Sequence, residues 1–273
     1  MFTKKEKKRL PFEINLIRRR AGQSAGEKWR ALQENGIDDV IPIVMCGIAF
    51  LAISVFQRLG ALLPLWLGVV LCVCLVLWAA VKVIIIRREV DRWWLGEKGE
   101  QYVGQVLEER LSPRGYCVFH DIIFRDKRNV FNIDHVVVGP KGVFVIETKA
   151  WRKRETGRPE IVCRGDRLYE IVRDGRKEKQ IDLGKDAVCQ VQLNAKEIGR
   201  QLYLKTRQKY DVTPILVVAG WYCKNNPKLP FYLINEKGIE AYIDSPRSRI
   251  VLRSEQIELV RGVLEHLGEE CKA

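Results

Sequence analysis

The chain has no Cys-x-x-Cys pair; its eight cysteines are scattered along it. That scatter argues against a structural zinc site, whose ligands come in closely spaced pairs, and the thiols read as reduced. Residues 1–40 do not read as a secretory signal peptide, because no apolar core follows their charges at the distance such a signal requires. Two long apolar runs carry no ionisable residue deep inside them, so neither a transporter nor a proton relay has a candidate residue there.

What the chain does have is positive charge. It holds 47 Lys and Arg against 34 Asp and Glu, a formal charge of +13. The excess is spread over the length, with clusters at Lys4 to Arg9, Arg18 to Arg20, and Arg87, Arg88 and Arg92. Such a balance suits phosphate-rich partners or an anionic membrane surface. Ser24, with Glu27 three residues on, reads as a capping box that opens a short helix to Gln33.

The apolar runs cover Ile41 to Phe56 and Ala61 to Val81, the second resuming from Val83 to Ile86. A spanning helix needs roughly 17–25 apolar residues. The runs therefore predict a two-helix transmembrane hairpin over about 41–57 and 61–83. Lys and Arg lie before the first run and after the second, with Arg58 alone between them, so both termini are expected in the cytoplasm. On this reading the protein is a multi-pass component of the cell (inner) membrane. Its partners are the lipid bilayer and anionic lipid headgroups, the latter met by the basic arm 1–40. Trp93 and Trp94 would sit at headgroup level.

Residues 87–273 alternate helical and strand patterns. Gly96 opens a helix that reads through Leu111, with Val103, Val106, Leu107 and Leu111 facing a core. Tyr116–Phe124 is a strand. Ile161–Arg164 and Leu168–Val172 form a meander, and Asp186–Leu204 is a helix with Val188, Val191, Leu193, Ala195, Ile198 and Leu202 as its apolar positions. Thr213–Gly220 is a buried strand, Trp221–Pro230 a loop, Phe231–Ile234 and Ala241–Ile243 further strands, and Ser254–Gly268 a closing helix. Strands with helices on both sides predict an α/β sandwich.

The most informative stretch is Asn132 to Lys149, NIDHVVVGPKGVFVIETK. Two apolar runs flank the turn residues Gly139-Pro140-Lys141-Gly142. If Val138 lies opposite Val143, Asp134 falls opposite Glu147, roughly 5 Å away on the same face. Lys149 joins them by strand alternation. Two facing carboxylates repel and favour a cation between them, and Mg²⁺ takes one or two carboxylates with waters and substrate oxygens. A solvated surface salt bridge is the alternative use of the same residues.

Three ordered motifs, Gly99-Glu100, Ile133-Asp134-His135 and Glu147-Thr148-Lys149, resemble those of the nuclease-related domain (NERD) family, a branch of the PD-(D/E)xK phosphodiesterase superfamily. The resemblance spans about 96–220 and implies a restriction-endonuclease-like mixed sheet flanked by helices. It also implies a nucleic-acid hydrolase using Mg²⁺ or Mn²⁺, with DNA ahead of RNA as the partner. Its expected catalytic residues are Glu100, Asp134, Glu147 and Lys149, with Asp134, Glu147 and Glu100 as metal ligands. Gln190 and Asn194 share a helix face and, by the resemblance, lie near the site or substrate. After Lys149 the chain departs from the family pattern, reading Ala150-Trp151-Arg152-Lys153-Arg154. Trp151, Arg152, Lys153 and Arg154 would line a nucleic-acid channel with the ring as a stacking platform, or form a solvated turn. The competing function is a catalytically inactive nucleic-acid-binding or scaffolding module tethered to the membrane.

Overall fold

A computed structural model describes residues 20–57, 65–126, 129–153, 159–174, 177–224, 226–244 and 251–269. Two long helices, α1 (Gln23–Gln57) and α2 (Leu65–Leu111), precede the sheets. The strands are β1 (Cys117–Asp126), β2 (Asn129–Gly139), β3 (Gly142–Lys149), β4 (Glu160–Arg164), β5 (Arg167–Asp174), β6 (Lys177–Gly184), β7 (Val212–Val218), β8 (Tyr222–Lys224) and β9 (Tyr232–Ile234). Helix α3 (Asp186–Thr206) lies between β6 and β7; α4 (Ile239–Ile243) and α5 (Ser254–Glu269) follow β9.

The main sheet has the order β1-β2-β3-β7-β9 and is mixed: β1, β2 and β3 are antiparallel, whereas β3–β7 and β7–β9 are parallel. Its central strands are apolar on both faces, as a sheet covered from both sides must be. Alternation sorts their side chains. Val136, Val138, Val143 and Val145 pack with Ala195, Ile198 and Leu202 of α3 and Val260, Leu264 and Leu267 of α5. Val137, Phe144 and Ile146 pack on the opposite face with Val103, Leu107 and Leu111 of α2 and Ile239 and Ile243 of α4. The smaller sheet, β6-β5-β4-β8, closes over the first half of α3 through Ile161, Leu168, Val188 and Val191. The mixed α/β sheet flanked by helices is therefore as expected.

The membrane reading is not. Among the described residues, no helix is long and apolar enough to cross a membrane. This overturns the transmembrane hairpin, the multi-pass inner-membrane localisation and the bilayer partnership drawn from it. The apolar runs are instead parts of α1 and α2, which continue beyond them into charged turns, Lys28 to Glu34 in one and Arg87 to Glu100 in the other. The two helices lie against each other: Ile86 closes on Gly36 and Leu75 on Gly47. Hydropathy weighs a run alone and cannot register where its helix continues. Nearly half of the basic arm, residues 1–19, lies outside the described residues.

Smaller differences have local causes. Gly96 does not open a helix, because α2 is already propagating through it and needs no new nucleus. Ser24 is inside α1 rather than capping it, its side chain being drawn to a distant carboxylate. Ala241–Ile243 belongs to the short helix α4, whose Ile239 and Ile243, one turn apart, are its buried contacts. Part of the expected loop after Trp221 pairs in parallel with β4 as β8. Leu193 is 56% exposed because its position on α3 points away from both sheets.

Candidate active site

The β2–β3 hairpin has the expected register, Val138 opposite Val143 and Gly139 opposite Gly142. Its ladder runs as far as His135 opposite Ile146. One residue further on, the Asp134 carboxylate takes the place of a backbone partner: its Oδ2 accepts a hydrogen bond from the Thr148 amide at 2.7 Å. β3 stays straight past this point because β7 holds it in parallel pairing as far as Lys149–Val218. Asp134 and Glu147 thus sit where the hairpin opens at the sheet's end, 5% and 1% exposed.

Helix α3 closes one side. Lys149 Nζ lies 2.8 Å from Glu147 Oε1 and also donates to Gln190 Oε1 at 3.1 Å. Asn194 Nδ2 donates to the other oxygen, Glu147 Oε2, at 3.1 Å. Gln190 and Asn194 are one helical turn apart, so both amides reach the strand from one face of α3. They hydrogen-bond the ammonium and the carboxylate directly.

Helix α2 closes the other side and brings in Glu100. A β-carbon on Gly99 would stand 2.5 Å from the Ala150 β-carbon. Glycine there lets the helix touch the end of β3, which carries Glu100 into the cluster.

The electrostatics are unbalanced. Burial pushes the Asp134 carboxyl well above its usual range, and Glu147 and Glu100 push it further. Burial also raises Glu147, against the lowering pull of Lys149 and Asn194. Glu100 is raised to about 7, by burial first and then by Asp121 and Glu147. Burial would lower Lys149, but Glu147 and Asp134 outweigh it and hold the ammonium charged. Three carboxylates therefore share one half-buried ammonium, and the Glu100 Oε2 atom is buried without a hydrogen-bond partner among the described residues. This donor set fits a hard divalent cation that takes few protein ligands and completes its shell with water or phosphate oxygens. Among the described residues, no three His, Cys, Asp or Glu side chains are grouped closely enough to hold a metal by themselves.

Trp151 is half-buried and packs beside the smaller sheet, and its carbonyl accepts from Trp221 Nε1 at 3.1 Å. Arg152 is exposed and pairs with Asp91 at 3.6 Å. Lys153 lies over the Trp221 ring, 5.6 Å from its centroid. Arg154 lies outside the described residues. His135 is fully buried and meets His120 through their Nδ1 atoms at 2.8 Å; burial pushes its pKa well down, so it is neutral and structural.

The sequence reading missed Asp121. It is fully buried with a positive φ of 51°, and it raises Glu100. Ser24 at the start of α1 binds it twice, through its amide at 3.0 Å and through its hydroxyl. Trp29 of α1 similarly donates to Glu97 of α2. No local pattern marks Asp121, because its partners come from the far end of the chain.

Residues 95–219 match the nuclease-related domain family. The chain carries a nuclease-related domain. The match supports a nuclease-related function and is consistent with the wider PD-(D/E)xK group. The chain is also 35% identical over 66 residues to an uncharacterised protein of Bacillus anthracis, covering 24% of this chain and 30% of that one. It thus spans under a third of that relative's length. No solved structure matches the chain. The nuclease-related domain begins within α2, so Glu100 and the β2–β3 hairpin fall inside it, whereas α1 and about the first two thirds of α2 precede it.

Proposed function

We propose that the nuclease-related domain hydrolyses phosphodiester bonds of nucleic acid with a divalent cation, Mg²⁺ or Mn²⁺. The observation that carries this reading is the burial of Asp134, Glu147 and Glu100 around a single ammonium, Lys149. A cation bound there would acidify water and polarise a phosphoryl oxygen. Asp134 and Glu147 would hold it, with Glu100 as an accessory ligand or, being raised to about 7, a proton acceptor close to neutral pH. Lys149 stays charged and would orient the attacking water or stabilise charge developing on the phosphate. Asn194 and Gln190 position Glu147 and Lys149 for this.

One observation favours a second reading, nucleic-acid binding without cleavage. Both Glu147 oxygens are already engaged, by Lys149 and Asn194. A merely structural salt bridge would look the same.

The test is cleavage of labelled single- and double-stranded DNA and RNA by the full chain with Mg²⁺, Mn²⁺ or EDTA, beside Asp134→Ala and Lys149→Ala. Metal-dependent cutting that both substitutions abolish is expected. Binding without cutting, unchanged in both variants, would replace the hydrolase with the binding module.

A further inference from the structure

We infer that Arg88, Arg92 and Trp93 of α2, which precede the nuclease-related domain, form a second wall of the substrate cleft and hold a single nucleic-acid strand on its way to Glu100 and Lys149. This rests on the proposed function. Glu100 and Lys149 open into a cleft of about 990 Å³, bounded by Arg88, Arg92 and Trp93 on one side and Trp151 and Arg152 on the other. Its size falls within the range of ligand-binding clefts. The residues at issue lie outside the stretch 95–219 that the family match covers.

Arg88 and Arg92 are four residues apart on a continuous helix, so they share a face and are separated by about 6 Å along the axis. Both are exposed, and neither has an ion pair among the described residues. The acid between them, Asp91, reaches across the cleft to Arg152 at 3.6 Å and ties the two walls together. The cleft is lined by the cations Arg88, Arg92, Lys149 and Arg152 and by the acids Glu89, Asp91 and Glu100.

Trp93 supplies an apolar face. It is half-buried, and the Lys28 ammonium lies 4.7 Å from its ring centroid, so α1 holds the ring in place. Trp151 stands in the same cleft. Paired cations with interleaved aromatic rings suit a single strand, whose phosphates meet the arginines and whose bases stack on the rings whatever their identity. A paired duplex keeps its base faces covered and has no use for such rings.

The test is fluorescence anisotropy with the full chain in EDTA, where metal-dependent cutting cannot occur. The probe is a short labelled DNA oligonucleotide, offered single-stranded and as the duplex. The Arg88→Ala/Arg92→Ala double variant is expected to bind the single strand at least about tenfold more weakly. Losing two phosphate contacts also lowers the slope of log affinity against log salt by about 1.4. Trp93→Leu weakens binding and Trp93→Phe restores most of it, while Arg261→Ala on α5 changes nothing. Each variant is checked for an unchanged melting temperature. Single-strand binding that the double variant leaves intact, in a wild type that binds and cuts, overturns this inference alone. Duplex binding weakened just as much overturns the single-strand assignment. A wild type that binds neither form overturns this inference and, if it also cuts nothing, the proposed function beneath it.

Discussion

Lys149 Nζ lies 2.8 Å from Glu147 Oε1, two residues back on the same strand, with the carboxylate almost wholly buried and the ammonium reaching toward the cleft. Strand alternation alone puts both side chains on one face; α3 then fixes them there through Gln190 and Asn194. Replacing Lys149 with Met should lower cleavage by about 10²–10⁴-fold. Nucleic-acid affinity in EDTA should change only a few-fold, so single-turnover cleavage and equilibrium binding, measured together, separate a catalytic ammonium from a binding one.

Asn194 holds the second oxygen of Glu147. Asn194→Ala frees that oxygen to swing and should cost about 10–100-fold in metal affinity or activity. The diagnostic readout is the Mg²⁺ concentration giving half-maximal cleavage, which should rise. A fall in rate at unchanged metal dependence would make Asn194 a packing residue only.

Glu100, raised by burial and by Asp121 and Glu147 to about 7 from 4.5, binds its proton more tightly in the folded chain than in the unfolded one. Its contribution to stability is therefore complete below the unfolded value and is lost as pH rises through about 7. Glu100→Gln has no such loss. Its melting temperature should match the wild type in mild acid and exceed it by about 2–4 °C per kcal/mol above neutral pH. A constant offset across pH would contradict the raised value.

The proposed binding of Mg²⁺ among these carboxylates should stabilise the folded chain. At a hundredfold excess over its dissociation constant, a cation that binds only the folded chain adds about 2.7 kcal/mol. Thermal melts with and without Mg²⁺ should show this rise in the wild type. Asp134→Asn should abolish most of it, and an equal rise in both would place the cation elsewhere.

Ser24 and Asp121 join the start of α1 to β1 across 97 residues of sequence. Ser24→Ala removes one donor to a fully buried carboxylate and should destabilise the chain by about 1–3 kcal/mol. The midpoint of urea unfolding reads this directly. No shift would show that the Ser24 amide alone suffices to hold Asp121.

The sequence by itself determined the hairpin and its chemistry. A period of two, a glycine-rich turn and two β-branched runs allow one register, because a slip of one residue would turn every apolar side chain to the wrong face. That register put Asp134, Glu147 and Lys149 together. The helices at Asp186 and Ser254 were legible for the same reason, their apolar residues recurring at helical spacing. Hydropathy misled at the two apolar runs, since it reads a window and not the longer helix containing it. Only the tertiary structure decided that α2 passes unbroken through Gly96, that Gly99 lets it touch Ala150, and that Asn194 and Gln190 turn inward. It alone brought Ser24 to Asp121 and Arg88 to the mouth of the cleft. Periodicity is written by near neighbours along the chain, whereas these contacts depend on how helices and sheets dock, and their partners lie tens of residues away.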